Sequence, residues 1–185
     1  MISQESFFSE DELRAIGFKS VGLNCKISRF AKFYGVKNIS IGNNVRIDDY
    51  SIISGHVTMG NNIHISAYVA LYGSKSIVLE DYTGISAKSI VYSAMDDFGG
   101  DFLIGPIHLD SCTNVTGGKV LLKKYSQIGA STVVFPNLTI GEGTVVGACS
   151  MVKHSLDDWS IFYGVPAKFY KKRNKGLLDF VPCDK

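Results

Sequence analysis

The sequence predicts an all-β fold, a parallel β-solenoid built from turns of six residues. Three observations lead there. Branched aliphatic residues or Met recur at every sixth position. Ile41, Ile47, Ile53, Met59, Ile65, Leu71 and Ile77 share one phase, and Leu79, Ile85 and Val91 continue it after a two-residue slip. After a gap the phase resumes with Leu122, Ile128, Val134, Ile140, Val146 and Val152. Four residues after many anchors stands a small or β-branched residue: Val45, Ser51, Val57, Ile63, Val69, Thr83, Ser89, Ser126, Thr132, Thr144 or Ser150. That even spacing lets both side chains point inward from one short strand. Finally, residues that accept tight corners recur in step: Gly42, Gly60, Gly129, Gly141 and Gly147 after anchors, and the pairs Asn43-Asn44, Asn61-Asn62 and Glu142-Gly143. A period of six matches neither an amphipathic helix nor one long alternating strand. A β-sandwich has no reason to hold one phase from Ile41 to Ile77.

The elements follow in order along what reads as one domain of 185 residues. Residues 9–16 predict a short helix, with Ser9 as N-cap and Glu12 three residues on completing a capping box. Residues 20–38 carry weaker repeats, so 1–38 reads as an N-terminal cap that begins the solenoid. Regular coils are expected over 39–93 and again over 120–157. Between them, residues 94–119 lack a sixfold anchor and form a polar excursion with Asp96, Asp97, Gly99, Gly100, Pro106, His108, Asp110 and Thr113. A loop of that length in a solenoid is more often functional than not. The segment 158–185 is a tail that carries Gly164-Val165-Pro166-Ala167-Lys168 and then a basic end that reads as a tail or helix.

Composition narrows the function. A net charge of +2 gives no case for a nucleic-acid footprint. Cys25, Cys112, Cys149 and Cys183 show no metal-finger spacing, and Cys149, inside a repeat, is expected to be buried or to line packing. The chain opens on polar residues with acids at Glu5, Glu10, Asp11 and Glu12, unlike a secretory leader, and no apolar run approaches a membrane span. The expected compartment is the cytoplasm.

The repeat, the excursion and the runs Ile128-Gly129-Ala130, Val146-Gly147-Ala148-Cys149-Ser150 and Gly164-Val165-Pro166-Ala167-Lys168 resemble the left-handed β-helix acyltransferases. The likeness spans roughly residues 39–172 and is greatest to the galactoside and maltose acetyltransferase branch and its lipopolysaccharide and capsule relatives. It implies a left-handed parallel β-helix with three hexapeptides to a coil, a homotrimer, and acetyl-CoA lying in a cleft between neighbouring chains. No metal is expected. The implied reaction is acetyl transfer to a hydroxyl or amino group of a sugar or nucleotide-sugar, in surface-polysaccharide biosynthesis.

Under that resemblance, residues 18 apart stack, so Gly129 sits beside Gly147 and Ala130 beside Ala148. Small residues there would leave backbone groups open to the pantetheine arm. Lys153, Lys168, Lys171 and Lys172, with Pro166 nearby, could meet the nucleotide phosphates; a solvated tail is the plain alternative. Relatives of the galactoside type carry a catalytic His at the start of the excursion, where this chain has Met95-Asp96-Asp97, so Asp96 stands in that place. An ordinary carboxylate, with a pKa of about 4, is a weak base for a hydroxyl, so the departure tilts towards an amine acceptor. A turn cap is the competing reading of Asp96 and Asp97. His64, expected at a coil corner facing the neighbouring chain, is the first histidine candidate for the base; His108, inside the excursion, could reach the acceptor, as could Asn114. Direct attack without an acyl-enzyme is expected, because no His or Asp spacing supports activation of the Cys112 thiol. Two other classes stand against this one. A zinc hydrolyase on the same solenoid needs matched His ligands that the spacing of His56 and His64 does not supply. A non-catalytic scaffold would not bind CoA.

Overall fold

The computed structural model describes residues 6–181, so Glu5 and Cys183 lie outside the described residues. Each coil lays one short strand on each of three sheets. The first sheet stacks Ser20–Val21, Ile39–Ile41, the second halves of Ile52–Met59 and Ala70–Leu79, Val120–Leu122 and Leu138–Ile140. The second stacks Lys26–Ile27, Val45–Ile47, Ile63–Ile65, Gly84–Ile85, Gln127–Ile128, Val145–Val146 and Ser160–Tyr163 in parallel, seven levels among the described residues. The third stacks Lys32–Tyr34, the first halves of Ile52–Met59 and Ala70–Leu79, Ile90–Tyr92, Val133–Val134 and Met151–Val152.

The predicted anchors fill the centre. Ile27, Ile47, Ile65, Ile85, Ile128 and Val146 form one column behind the second sheet, each at most 1% exposed. Burial of each such side chain stabilises the fold by about 1.5–3 kcal/mol. The partners expected to point inward are also buried, including Ser51, Thr83, Ser89, Ser126, Thr132, Thr144 and Ser150. Buried hydroxyls need acceptors, and several find them on corner carbonyls: Ser89 Oγ donates to Gly129 O at 2.9 Å and Thr132 Oγ1 to Gly147 O at 3.1 Å.

The corners recur with positive φ. Between the first and second sheets Asn44, Asn62, Tyr82, Tyr125, Gly143 and Trp159 take this conformation in successive coils. Asn tolerates it through its short polar side chain. The aromatics are held there by their column, with ring centroids 5.3 Å apart for Tyr82–Tyr125 and 6.3 Å for Tyr125–Trp159. The open end of the first coil is covered by the helix Glu10–Ile16, which buries Leu13 and has the expected Ser9–Glu12 capping box. Arg29 clamps Glu12 with two hydrogen bonds of 2.8 and 2.7 Å, and this pairing lowers the Glu12 carboxyl from 4.5 to about 2.

Three expectations about the frame change. The two extra residues do not lie between Ile77 and Leu79, which are both buried on one strand. They lie in the preceding corner: Gly55 pairs with Gly73, but Val57 pairs with Ile77. The corner Gly73–Ser76 absorbs them because Ser93 Oγ accepts from Lys75 N at 2.8 Å and donates to Tyr72 O at 2.9 Å. The basic end is not helical. Lys168–Lys172 is a strand antiparallel to Ser160–Tyr163, followed by a single 3₁₀ turn at Gly176–Asp179. Its backbone pairs with the last coil, whose outer edge would otherwise be open. Cys149 is exposed at a positive-φ corner rather than buried, because the corner turns its side chain outward.

Candidate active site

The excursion leaves the solenoid at the corner between the third and first sheets. Its stem is an antiparallel pair, Ala94–Asp96 with Val115–Gly117. Gly117 closes the stem, since a side chain there would collide with Ser93 O and Ala94. Asp97 and Asn114 tie the stem together. Asp97 N donates to Asn114 O at 3.0 Å, Asn114 Nδ2 donates to an Asp97 carboxylate oxygen at 3.4 Å, and the other oxygen receives Gly99 N at 2.8 Å. Asp97 and Asn114 thus spend these groups on the loop itself. Asp96 is half-buried, and among the described residues its carboxylate accepts one hydrogen bond, from Gly105 N at 3.3 Å.

Asp96 stands between two cavities. One, of about 340 Å³, is lined on its polar side by Ser74, Asp96, His108, Asp110 and Thr113. The other, of about 480 Å³, is lined by Asp96, Thr116 and Asn137 together with Met95, Phe98, Phe135 and Pro136. One coil further on, the Lys153 ammonium lies 5.8 Å from the centre of the Phe135 ring.

His64 is not at a corner. It sits in the middle of the strand Ile63–Ile65, between Arg46 and Gly84 on the outer face of the second sheet, because its neighbours Ile63 and Ile65 both take inward positions. Its Nε2 is 2.7 Å from Asp48 Oδ2, and Arg46 holds the other oxygen at 2.6 Å. Burial pushes the Asp48 carboxyl up, but the hydrogen bonds from His64 and Arg46 reverse this and leave it lowered. Within one chain His64 and Asp96 belong to different sides of the prism.

Gly129, Ala130, Gly147 and Ala148 do stack at the corner between the second and third sheets, where Cys149 N donates to Ala130 O at 2.8 Å. The reason for the glycines differs from the expectation. A Cβ on Gly129 would lie 2.5 Å from Ala148 N, and one on Gly147 would lie 2.9 Å from Tyr163 Cβ. Their amides donate to Val146 O and Phe162 O at 2.7 Å, and their carbonyls take the Ser89 and Thr132 hydroxyls. Both glycines are therefore required by the next coil; Ser131, Ala148 and Cys149 supply the outward surface. Pro166 joins this edge, in a turn fastened by Gly164 N to Ser150 Oγ at 3.0 Å and Ala167 N to Met151 O at 2.8 Å. Lys168 and Lys171 lie exposed on the last strand, and Lys153 on the opposite edge of the third sheet.

Sequence reasoning passed over Ser74, Phe135 and Ser86, and named Asp110 only as part of the excursion. Ser86 sits at the corner between the second and third sheets and accepts from Gln127 Nε2 at 3.1 Å. In the repeat it is an ordinary corner residue, so no spacing marks it. Among the described residues no group of His, Cys, Asp or Glu is arranged to hold a metal ion, and no helix is long and apolar enough to cross a membrane.

Comparison with known proteins gives a concordant result. The dTDP-4-amino-4,6-dideoxy-D-glucose acyltransferase of Escherichia coli is 38% identical over 94% of this chain and 92% of its own length. The putative lipopolysaccharide biosynthesis O-acetyl transferase WbbJ of Escherichia coli (strain K12) is 27% identical over 82% of this chain and 81% of its own. Among solved structures, AntD, an N-acyltransferase from Bacillus cereus in complex with dTDP and 3-hydroxybutyryl-CoA, is 50% identical, covers 98% of this chain and 97% of its own, and superposes with a TM-score of 0.95. Variants of AntD with a serine or an aspartate replaced, ten residues apart, superpose equally well. No protein-family model matches the chain. With a three-sided parallel solenoid and relatives this similar over nearly its whole length, the chain belongs to the hexapeptide-repeat β-helix acyltransferases.

Proposed function

We propose that the protein transfers an acyl group from a CoA thioester to the amino group of a dTDP-linked 4-amino-4,6-dideoxy sugar. One observation carries this reading. The likeness to a dTDP-sugar N-acyltransferase covers 98% of the chain at 50% identity, so it includes the excursion as well as the coils that many acyltransferases share. The serine and aspartate replaced in AntD are ten residues apart, as are Ser86 and Asp96 here.

In this reading the neutral amine attacks the thioester carbonyl carbon. A C–N bond forms and the C–S bond breaks. The proton shed by nitrogen passes to Asp96 and on to the departing sulfur, giving an amide and free CoA thiol with no acyl-enzyme. Backbone amides at the Ala130 and Ala148 corner steady the oxyanion. An amine needs less help from a base than a hydroxyl, which suits a carboxylate in the histidine's place. His108, in the polar cavity beside Asp96, faces the sugar, while Asp97 and Asn114 hold the stem that aims Asp96. Gly129, Ala130, Gly147, Ala148 and Pro166 line the pantetheine path, and Lys153, Lys168 and Lys171 serve the phosphates. Ser86 and Asp96 lie on different edges of one prism, so the site is completed between chains, in a homotrimer, with His64 supplied by a neighbour. The reaction belongs to surface-polysaccharide biosynthesis in the cytoplasm.

The test is thiol release from acyl-CoA in the presence of dTDP-4-amino-4,6-dideoxyglucose, with the product weighed by mass spectrometry. One acyl increment on the amino sugar for each thiol released is expected. No release at millimolar donor removes the reading, and acylation of hydroxyl sugars alone favours the O-acetyl alternative that the resemblance to WbbJ suggests.

A further inference from the structure

On the outer face of the second sheet the column Arg46, His64, Gly84, Gln127, Val145 is interrupted by a glycine. Gly84 lies in a parallel strand and not at a positive-φ corner, so its backbone does not ask for glycine. The cause is in the next coil, where a Cβ on Gly84 would collide with Gln127 Oε1. The glycine leaves room for the Gln127 amide, which donates from Nε2 to Ser86 Oγ at 3.1 Å and to Ile128 O at 3.3 Å. This pair of bonds fixes a direction. A backbone carbonyl only accepts, so the amide nitrogen and not its oxygen must face Ile128 O. An amide nitrogen does not accept, so Ser86 Oγ takes the acceptor part. Ile128 O also holds Ser86 N at 2.9 Å, which fastens Ser86 to the same carbonyl. Among the described residues the Ser86 hydroxyl proton has no acceptor. Ser86 is half-buried at its corner, one coil before Ala130.

We infer that Gln127 is a positioning residue, which turns Ser86 so that its hydroxyl meets the substrates as a donor. The inference rests on the acyl-transfer reading above, which places Ser86 in the site. A donor aimed at the attacking amine would tie up the nitrogen lone pair, so the hydroxyl serves the thioester carbonyl oxygen. There it joins the corner amides as negative charge collects on that oxygen. Accepting the bond from Gln127 also strengthens the hydroxyl as a donor. Ser86 keeps its proton throughout and forms no covalent bond to the acyl group.

The experiment measures kcat per folded chain, and KM for acetyl-CoA and for the amino-sugar nucleotide. It uses the native protein, Ser86→Ala, Gln127→Met, Gln127→Glu and the double variant Ser86→Ala with Gln127→Met. Ser86→Ala is expected to lower kcat about 100-fold by removing one oxyanion donor. Gln127→Met keeps the shape but lets the hydroxyl rotate, and kcat falls about ten-fold as part of that donor is lost. Gln127→Glu reverses the bond, since a carboxylate accepts the Ser86 proton, and kcat falls about as far as in Ser86→Ala. Both KM values stay within about two-fold, as for an interaction made in the transition state. The double variant is no slower than Ser86→Ala, because Gln127 acts through that hydroxyl; a merely structural role would multiply the two losses. Multiplied losses, a native kcat in Ser86→Ala or Gln127→Met, or a Gln127→Glu no slower than Gln127→Met overturn the inference and leave the acyl-transfer reading intact. Absence of transfer by the native protein removes that reading and the inference with it.

Discussion

Replacing Gly143 by alanine is expected to cost about 3–4 kcal/mol of stability and to uncover the tryptophan of this chain. Gly143 has φ +63 and lies in the column of corners between Tyr125 and Trp159. A Cβ there would sit 2.5 Å from two ring carbons of Trp159, about 1 Å inside ordinary carbon contact. The ring cannot slide away freely. It is 9% exposed, its Nε1 donates to Glu142 Oε1 at 3.3 Å, and Lys175 covers it at 4.9 Å. The left-handed backbone costs alanine about 1–2 kcal/mol. Exposing about 80 Å² of a side chain that normally buries 150–250 Å² costs about 2 kcal/mol more. Urea unfolding at fixed protein concentration measures the sum, and the single tryptophan reports the ring directly by a red-shifted emission. In a Trp159→Ala background, followed by circular dichroism, the same substitution should cost only the backbone share. Equal costs in both backgrounds, or native emission in Gly143→Ala, would refute the reasoning.

Other substitutions address the site and the ends of the solenoid. Asp96→Asn should lower kcat by more than ten-fold with little change in CoA affinity; native turnover in steady-state assays would reduce Asp96 to a turn residue. Steady-state kinetics of His64→Ala should likewise show a loss of turnover far larger than any loss of CoA affinity, and an unaltered rate removes it from the site between chains. Ala148→Leu should weaken CoA binding about ten-fold in calorimetric titration by obstructing the corner surface, and an unchanged affinity would place the pantetheine arm elsewhere. The Glu12 carboxyl has a folded value of about 2 against 4.5 when free, so the unfolded chain takes up its proton first. Its contribution is whole above about pH 4.5 and is lost as the pH falls through about 2. Glu12→Gln should therefore flatten that part of the acid-unfolding profile, and an identical profile would show that the Arg29 clamp carries no such linkage.

Much of the frame was legible because a solenoid writes its geometry into the chain locally. An anchor such as Ile128 meets Ile85 and Val146 only because each occupies the same place in its own coil. The period therefore reports the stacking directly. The two-residue slip was visible but misplaced, since Ile77 and Leu79 are both anchors by residue type and only the pairing of Val57 with Ile77 shows which corner absorbs the extra length. The glycines at 129 and 147 were legible as small residues but not in their cause, because the atoms that forbid a side chain belong to the next coil.

The site divides in the same way. Asp96, Asp97, His108 and Asn114 stood out because the excursion breaks the period. That break does not tell which of them is used up within the loop. The clasp of Asp97 on Asn114 and the place of Asp96 between two cavities follow from antiparallel pairing of segments nearly twenty residues apart. The sequence by itself determined the solenoid, its corners and the place of the excursion, since those depend on contacts repeated at a constant interval. The tertiary contacts alone place Asp96 between two cavities and His64 on another side of the prism. Those relations join residues at no repeating interval, and a hairpin stem has no period to announce them.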